Sequence, residues 1–396
     1  MLETIVVYTL LMVIMFLFTE SCGPLPIKST RAKLLCIVPI LAYTLIFGCR
    51  YYVGVDYPAY LDMYDSWDLN NSIMENWSSS TFSRIEPAFI LLIAFTRIFD
   101  SPVVFFSLIA LIQIFFIYKA YQYNPLVLAC AFVAFICTGM AMIHFQNGLR
   151  QYIAIPIFMY AFQYIINRKP LQYFLWITLA VLFHKSAAVL YFVYFLYAYR
   201  STPYFKNALT QCILLTISIT LAFVDFTSAI TDKMDALLIL TDYEAYVDST
   251  ALVSDSKRVS YIMLLQYLLY LFLASYRQQV ADYYKDDTYF PYIYDLFFIA
   301  TCFSFIFFRS LLIVRICRYF TTFEFIVIGY YLNYLIQTHR KSYRNYAFYL
   351  VVCAFLFVSY SATILFSKKN TTAYVSFFQE DLHAEKDAYR ELYNVE

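Results

Sequence analysis

A chain of 396 residues that is 62% apolar and 14% charged is excluded from the ordinary soluble domains, whose charged fraction is about 25%. Its net charge of +1 sits in small clusters rather than in a basic patch, which gives no footing to nucleic acid as a partner. With a mean hydropathy of +0.63, the composition predicts an all-α polytopic membrane protein, read as one integral membrane domain over residues 1–396.

The first apolar run, Ile5 to Phe18, lacks a basic leader and follows Glu3, so it reads as an uncleaved transmembrane helix despite the Thr19-Glu20-Ser21-Cys22 stretch after it. Lys28, Arg31 and Lys33 then mark a cytoplasmic turn by the positive-inside rule and put the N-terminus outside. The second run, Leu34 to Cys49, crosses outward and delivers Arg50 to Tyr60, RYYVGVDYPAY, followed by a polar, aromatic stretch with Trp67 and Trp77. Residues 50–85 are accordingly expected to form an extracytoplasmic loop. Glu86 opens a short run to Phe99, Asp100-Ser101-Pro102 breaks it, and Val103 to Tyr118 and Leu126 to Met142 read as further crossings. A polar patch from His144 to Gln151 follows.

The stretch from Arg150 to Ser186 organises the rest. In helix, Arg150 to Arg168 spans about 27 Å and Arg168 to His184 about 24 Å. Each leg is close to a hydrocarbon core of about 30 Å. With the basic elbow Arg168-Lys169-Pro170 in the cytoplasm, Arg150 and His184 return to similar depth at the opposite leaflet, where they can share one cavity.

Ala187 to Tyr199 and Ala208 to Val224 come next, then an acidic stretch expected to be an extracytoplasmic loop, residues 225–260. Tyr261 to Tyr276, Pro291 to Phe308, Leu311 to Ile336 and Tyr346 to Phe366 complete the crossings and leave 367–396 as an extracytoplasmic tail. Five apolar runs lie between the cytoplasmic clusters at Lys33 and Arg168, where an even number is required. Glu86 to Phe99 is the one expected not to span, as a re-entrant or half-depth helix. About twelve transmembrane helices remain, with both termini outside.

The nine cysteines include no CxxC pair and no Cys/His cluster, and read as small buried hydrophobes. No DxD, HExxH or glycine-rich phosphate loop is present, so the sequence calls for no metal, nucleotide-sugar donor or cofactor.

Arg50, Asp56, Glu86, Arg150 and His184 all emerge on the extracytoplasmic side in this topology. Arg315 and Arg318 join them: they precede Arg340 by about 37 and 33 Å of helix, and their i,i+3 spacing puts both on one face. Singly, Arg50 or Arg150 is as well explained by snorkelling to headgroups, and His184 alone reads as a satisfied interfacial residue, whereas snorkelling explains Arg315 with Arg318 less well, since apolar residues lie before them from Phe303 to Phe308 and again beyond Tyr319. His144 reads as structural, His339 and His383 as solvated, and Arg309 as snorkelling. As a set on one side they point to a shared polar cavity, because ionisable groups in a membrane are costly without partners. Clustered guanidinium groups suit a diphosphate. A histidine or carboxylate nearby suits a general base, and Tyr57 and Tyr60 offer flat faces to a sugar. A flippase for lipid-linked oligosaccharide would also use arginines but should carry them at both leaflets. A ligase passing glycan to lipid A or protein would look the same from sequence, and an extracytoplasmic acyltransferase would leave the arginines unexplained.

RYYVGVDYPAY at Arg50 to Tyr60 resembles the R-x-x-x-G-x-D-Y-x-x-Y signature of EpsG-like membrane proteins. LRQYIA at Leu149 to Ala154, FHKSA at Phe183 to Ala187 and RICRYF at Arg315 to Phe320 are similar to later motifs of that family, in order, over roughly Leu34 to Phe366. Val55 stands where the family usually has threonine. The resemblance implies a GT-C-like helical bundle and an O-antigen-type (Wzy) polysaccharide polymerase in the bacterial cytoplasmic (inner) membrane. It implies a metal-independent glycosyltransferase without a cofactor, with undecaprenyl-diphosphate-linked oligosaccharide as donor and acceptor, the lipid bilayer as surroundings, and a chain-length regulator and a flippase as partners. By the same resemblance Arg150, Arg315 and Arg318 are expected on the donor diphosphate with Arg50 in support, and Tyr57, Tyr60, Gln151 and Tyr319 in substrate binding. His184 is the first expected base, Asp56 the second, and Glu86 orients either.

Overall fold

The computed structural model describes residues 2–26, 29–198, 204–223, 261–365 and 373–378. The expected loop at 225–260 and, apart from 373–378, the expected tail at 367–396 lie outside the described residues. The chain divides into two compact units, residues 1–195 with 353–396 and residues 196–352. Among the described residues all regular structure is helical, apart from one isolated antiparallel bridge between Arg50 and Ser376.

The first unit begins with α1 (Leu2–Glu20), α2 (Thr30–Gly48), α3 (Tyr57–Asp65), α4 (Ile73–Ser78), α5 (Pro87–Arg97) and α6 (Pro102–Tyr121). It continues with α7 (Pro125–Cys137), α8 (Met140–Asn147), α9 (Leu149–Ile166), α10 (Pro170–Phe183) and a 3₁₀ turn at Lys185–Leu190 leading into α11 (Tyr191–Tyr197). The start signals are written into the sequence: α5, α6, α7 and α10 each open on a proline, whose fixed φ and missing N–H suit the first turn. Ser29 and Asn124 cap α2 and α7 by accepting from Ala32 N and Val127 N. α1 buries Tyr8, Leu11 and Met15 and exposes Val6, Leu10, Val13 and Leu17, which is one inward stripe with an apolar outer face suited to lipid. α6 packs against both α2 and α9, and α9 against α10, so the Arg150–His184 hairpin is held at the centre of this unit.

The second unit holds α12 (Ala208–Phe223), α13 (Tyr261–Tyr283), α14 (Phe290–Ile306), α15 (Leu311–Thr321), α16 (Glu324–Thr338) and the start of α17 (Tyr343–Leu365), whose later turns belong to the first unit. Its interior is rich in tyrosine: Tyr294 donates to Gln211 Oε1 at 2.6 Å and Tyr331 to Leu273 O at 2.6 Å.

Four helices are long and apolar enough to cross a membrane, Leu2–Glu20, Thr30–Gly48, Pro102–Tyr121 and Tyr343–Leu365, and α7 with α8 makes a fifth candidate bent by 78°. The protein is a multi-pass, all-α membrane protein. α5 has 11 residues, about 16 Å of helix, which is half a bilayer core.

Three apolar runs that read as continuous crossings are broken. Leu126 to Met142 kinks at Gly139, whose φ of +68° ends α7 and whose missing side chain admits Thr363, since a Cβ there would meet Thr363 Oγ1 at 2.2 Å. Ala187 to Tyr199 starts in the 3₁₀ turn, because His184 is extended (φ −157°, ψ 113°) and stops α10. Leu311 to Ile336 breaks between α15 and α16, at Thr322 and Phe323, where the Thr322 hydroxyl donates back to Arg318 O at 2.5 Å. The depth of Arg315 and Arg318 worked from one straight helix to Arg340 therefore does not hold.

Candidate functional site

The site forms around Glu86. It occupies the cap position of α5 in extended backbone (φ −70°, ψ 144°), yet its side chain makes no cap bond and turns instead toward the ends of α9 and α10. Glu86 Oε2 accepts from Arg150 Nη1 at 2.6 Å, and Oε1 accepts from the Lys185 main-chain N–H at 3.0 Å with His184 Nδ1 at 3.3 Å. The carboxylate is the floor, 4% exposed, while the Arg150 and His184 side chains are 23% and 18% exposed. The extended backbone of His184 makes this possible, for it lets the imidazole and the next N–H face one carboxylate.

Burial works against an ionised carboxylate at Glu86. The His184 hydrogen bond, the Arg150 charge and the Lys185 N–H together win and hold the carboxyl at about 2. An ionised carboxylate only accepts, so the proton of neutral His184 belongs on Nδ1 and the lone pair on Nε2. That is the tautomer a general base requires. Tyr60, buried on α3, interacts with the Arg150 guanidinium.

Arg50 and Tyr57 are placed elsewhere than expected. Arg50 is 2% exposed and lies over the rings of Tyr57 and Phe106 at 5.6 and 5.0 Å. Its guanidinium donates to three main-chain carbonyls: Phe47 O, Val53 O at 3.3 Å and Gln146 O at 3.1 Å. It ties the end of α2, its own loop and α8 together, which does not fit the expected support of a diphosphate. Tyr57 stacks on Phe106 at 4.3 Å and is 1% exposed, so it presents no face to a sugar. Gly54 (φ +108°) passes so close to α8 that a Cβ would lie 2.6 Å from Asn147 Oδ1. Asp56, in contrast, is exposed at the start of α3. Gln151 is 5% exposed next to Arg150.

Arg315, Arg318 and Tyr319 lie on α15 in the second unit, with Tyr319 fully buried and Arg318 Nε buried without a hydrogen-bond partner. The same unit holds a pairing that the sequence reading missed, Tyr270 donating to Glu324 Oε1 at 2.8 Å. A lone carboxylate inside the apolar run Leu311 to Ile336 was the available signal. Gln113 and Gln146 were missed likewise. Gln113 accepts from Tyr43 and donates to Phe145 O at 3.1 Å, and Gln146 donates to Tyr8, which together anchor α8 behind the site.

In a multi-pass helical membrane protein, a buried carboxylate that holds a guanidinium and an imidazole side by side is a candidate functional site. The comparison with known families narrows this. The chain belongs to the EpsG family, whose family model matches residues 33–376, most of its length. EpsG-like proteins are polysaccharide polymerases of the Wzy type. No curated protein and no solved structure matches the chain.

Proposed function

We propose that this chain is the polymerase of a surface polysaccharide, an O-antigen, capsule or exopolysaccharide. It transfers a growing glycan from undecaprenyl diphosphate to a lipid-linked repeat unit at the extracytoplasmic face of the bacterial cytoplasmic membrane, as a metal-independent glycosyltransferase. The single observation that carries the reading is the Glu86 carboxylate shared by His184 and Arg150.

His184 Nε2 takes the proton from the acceptor hydroxyl as its oxygen bonds to the anomeric carbon of the donor. The bond from that carbon to the diphosphate breaks, and the leaving oxygen keeps the electron pair. Arg150 meets the developing charge, which is electrostatic stabilisation rather than acid catalysis. Glu86 fixes the tautomer of His184 and the direction of Arg150 and does not itself take the proton. Asp56 is the second candidate base. For Arg315 and Arg318, on α15, a phosphate is likewise the proposed ligand, without reference to the Glu86 site. About twelve crossings in a GT-C-like bundle, with the shorter apolar helices such as Pro170–Phe183, Ala208–Phe223 and Phe290–Ile306 contributing, supply the frame. A flippase upstream and a chain-length regulator are the partners this chemistry calls for.

The test is surface polysaccharide on a gel from a deletion strain complemented with wild type, His184→Ala, Arg150→Ala, Arg318→Ala or Asp56→Asn at matched membrane levels. Wild type restores a ladder. His184→Ala and Arg150→Ala leave single repeat units. Long chains from both would sink the assignment of the site. Lipid-linked repeats trapped on the cytoplasmic side of the deletion strain would identify a flippase instead, and free polymer never joined to its final carrier would identify a ligase.

A further inference from the structure

Residues 373–378, Ala-Tyr-Val-Ser-Phe-Phe, lie against the loop that the EpsG-like signature occupies. Tyr51 N donates to Val375 O at 2.9 Å and Phe377 N donates to Cys49 O at 2.7 Å, which makes the isolated antiparallel bridge between Arg50 and Ser376. Tyr374 anchors the segment beside it: its N–H donates to Thr4 Oγ1 at 3.0 Å, its hydroxyl to Ile46 O at 3.2 Å, and its ring meets Tyr8 edge-on at 6.0 Å. Phe377 meets Tyr51 edge-on at 5.6 Å, and Tyr51 in turn meets Tyr57 edge-on at 6.1 Å.

The loop from Cys49 to Asp56 has little regular structure of its own. It includes two residues at positive φ, Tyr52 (+51°) and Gly54 (+108°), and the first is a conformation that a bulky side chain adopts only when its surroundings impose it. The Arg50 side chain holds this loop from the α8 side, and residues 374–377 hold its main chain from the other. The loop then launches α3, and α3 carries Tyr60 to Arg150. The C-terminal segment is thus joined to the carboxylate site through one short run of main chain.

We propose that residues 373–378 are a strap that positions the Arg150–Glu86–His184 site by fixing the loop beneath Tyr60. The strap acts in its closed, paired form. The proposal rests on the polymerase reading above. Its residues touch no reacting atom, and their effect passes through the placement of Arg150, where an error of about 1 Å is enough to cost about a hundredfold in rate.

The experiment uses the full chain, purified in lipid nanodiscs, with undecaprenyl-diphosphate-linked repeat units as donor and acceptor. Phe377→Pro removes the N–H that Cys49 O accepts, whereas Phe377→Tyr keeps both the N–H and the ring. Phe377→Pro is expected to lower kcat for elongation at least about tenfold with an unchanged melting temperature, and Phe377→Tyr to restore it. Phe377→Cys places a thiol across from Cys49, and oxidation is expected to join the two, as read by mass spectrometry of the digested protein, with elongation kept. Wild-type kcat in Phe377→Pro would overturn the strap, as would loss of elongation on closing the Phe377→Cys disulfide, since the segment would then have to leave the loop. Failure of wild type to elongate the repeat units while the disulfide still forms would overturn the polymerase reading itself and show the strap as structural only.

Discussion

Replacing Glu86 by glutamine keeps the shape of the side chain and removes its charge. In the folded protein the carboxyl stands at about 2 instead of its ordinary 4.5, with burial opposed by His184, Arg150 and the Lys185 N–H. At about 1.4 kcal/mol for each pH unit, this contributes about 3 kcal/mol of folding stability at neutral pH. Breaking a buried pair by removing one partner leads independently to about 3–5 kcal/mol, and the partial exposure of Arg150 favours the lower end. Because the folded value is depressed, the contribution is complete above about pH 4.5 and disappears as the pH falls toward about 2. Glu86→Gln should therefore melt about 4–6 °C below wild type at pH 7, at about 2.1 cal/mol/K of unfolding entropy per residue, with the gap narrowing below pH 4.5. Elongation should fall by about 10²–10⁴-fold, since an amide no longer holds the Nδ1–H tautomer of His184. Thermal melts of the nanodisc-embedded protein at pH 7 and pH 4, beside initial rates on lipid-linked repeats, measure both. A glutamine variant that melts with wild type and elongates within about twofold of it would refute the assignment of Glu86 as the shared carboxylate.

Three further substitutions and one treatment separate site from scaffold. His184→Gln should lose elongation by about 10²–10⁴-fold with little change in melting, because the ring is partly exposed and packs little apolar surface. Arg50→Lys should lower stability by about 2–4 kcal/mol, since one ammonium cannot reach Phe47 O, Val53 O and Gln146 O together; lower membrane abundance with an unchanged KM for donor is the expected readout. Gly48→Ala should destabilise the α2–α6 contact by about 1–3 kcal/mol, because its Cβ would lie 2.7 Å from the Cα of Ser107, which cannot step aside, and a melting curve reports it. Elongation in EDTA should match that in magnesium; loss on chelation with recovery on adding the ion would remove the metal-independent mechanism.

The membrane class, the helix starts at Pro87, Pro102, Pro125 and Pro170, and the return of Arg150 and His184 to a common level are properties of local sequence. Hydropathy and rise per residue act within one helix and need no neighbour, and a hairpin of two legs of nearly equal length brings its ends together wherever it packs. The breaks at Gly139 and Thr322 were less legible, because both lie in runs whose hydropathy continues across them, and at Gly139 what ends the helix is a positive φ that the close approach of Thr363 accompanies. The partner of each charged group was not legible at all. Glu86 stands nearer in sequence to Arg84 than to Arg150, and Arg50 nearer to Asp56 than to Gln146, yet Glu86 joins Arg150 and His184 while Arg50 binds main-chain carbonyls. A sequence fixes which residues are ionisable and how far apart they lie along a helix. Only the packing of α5 against α10, and of α6 against α2 and α9, determines which face meets which, and a buried charge takes whatever partner that packing brings within about 3 Å.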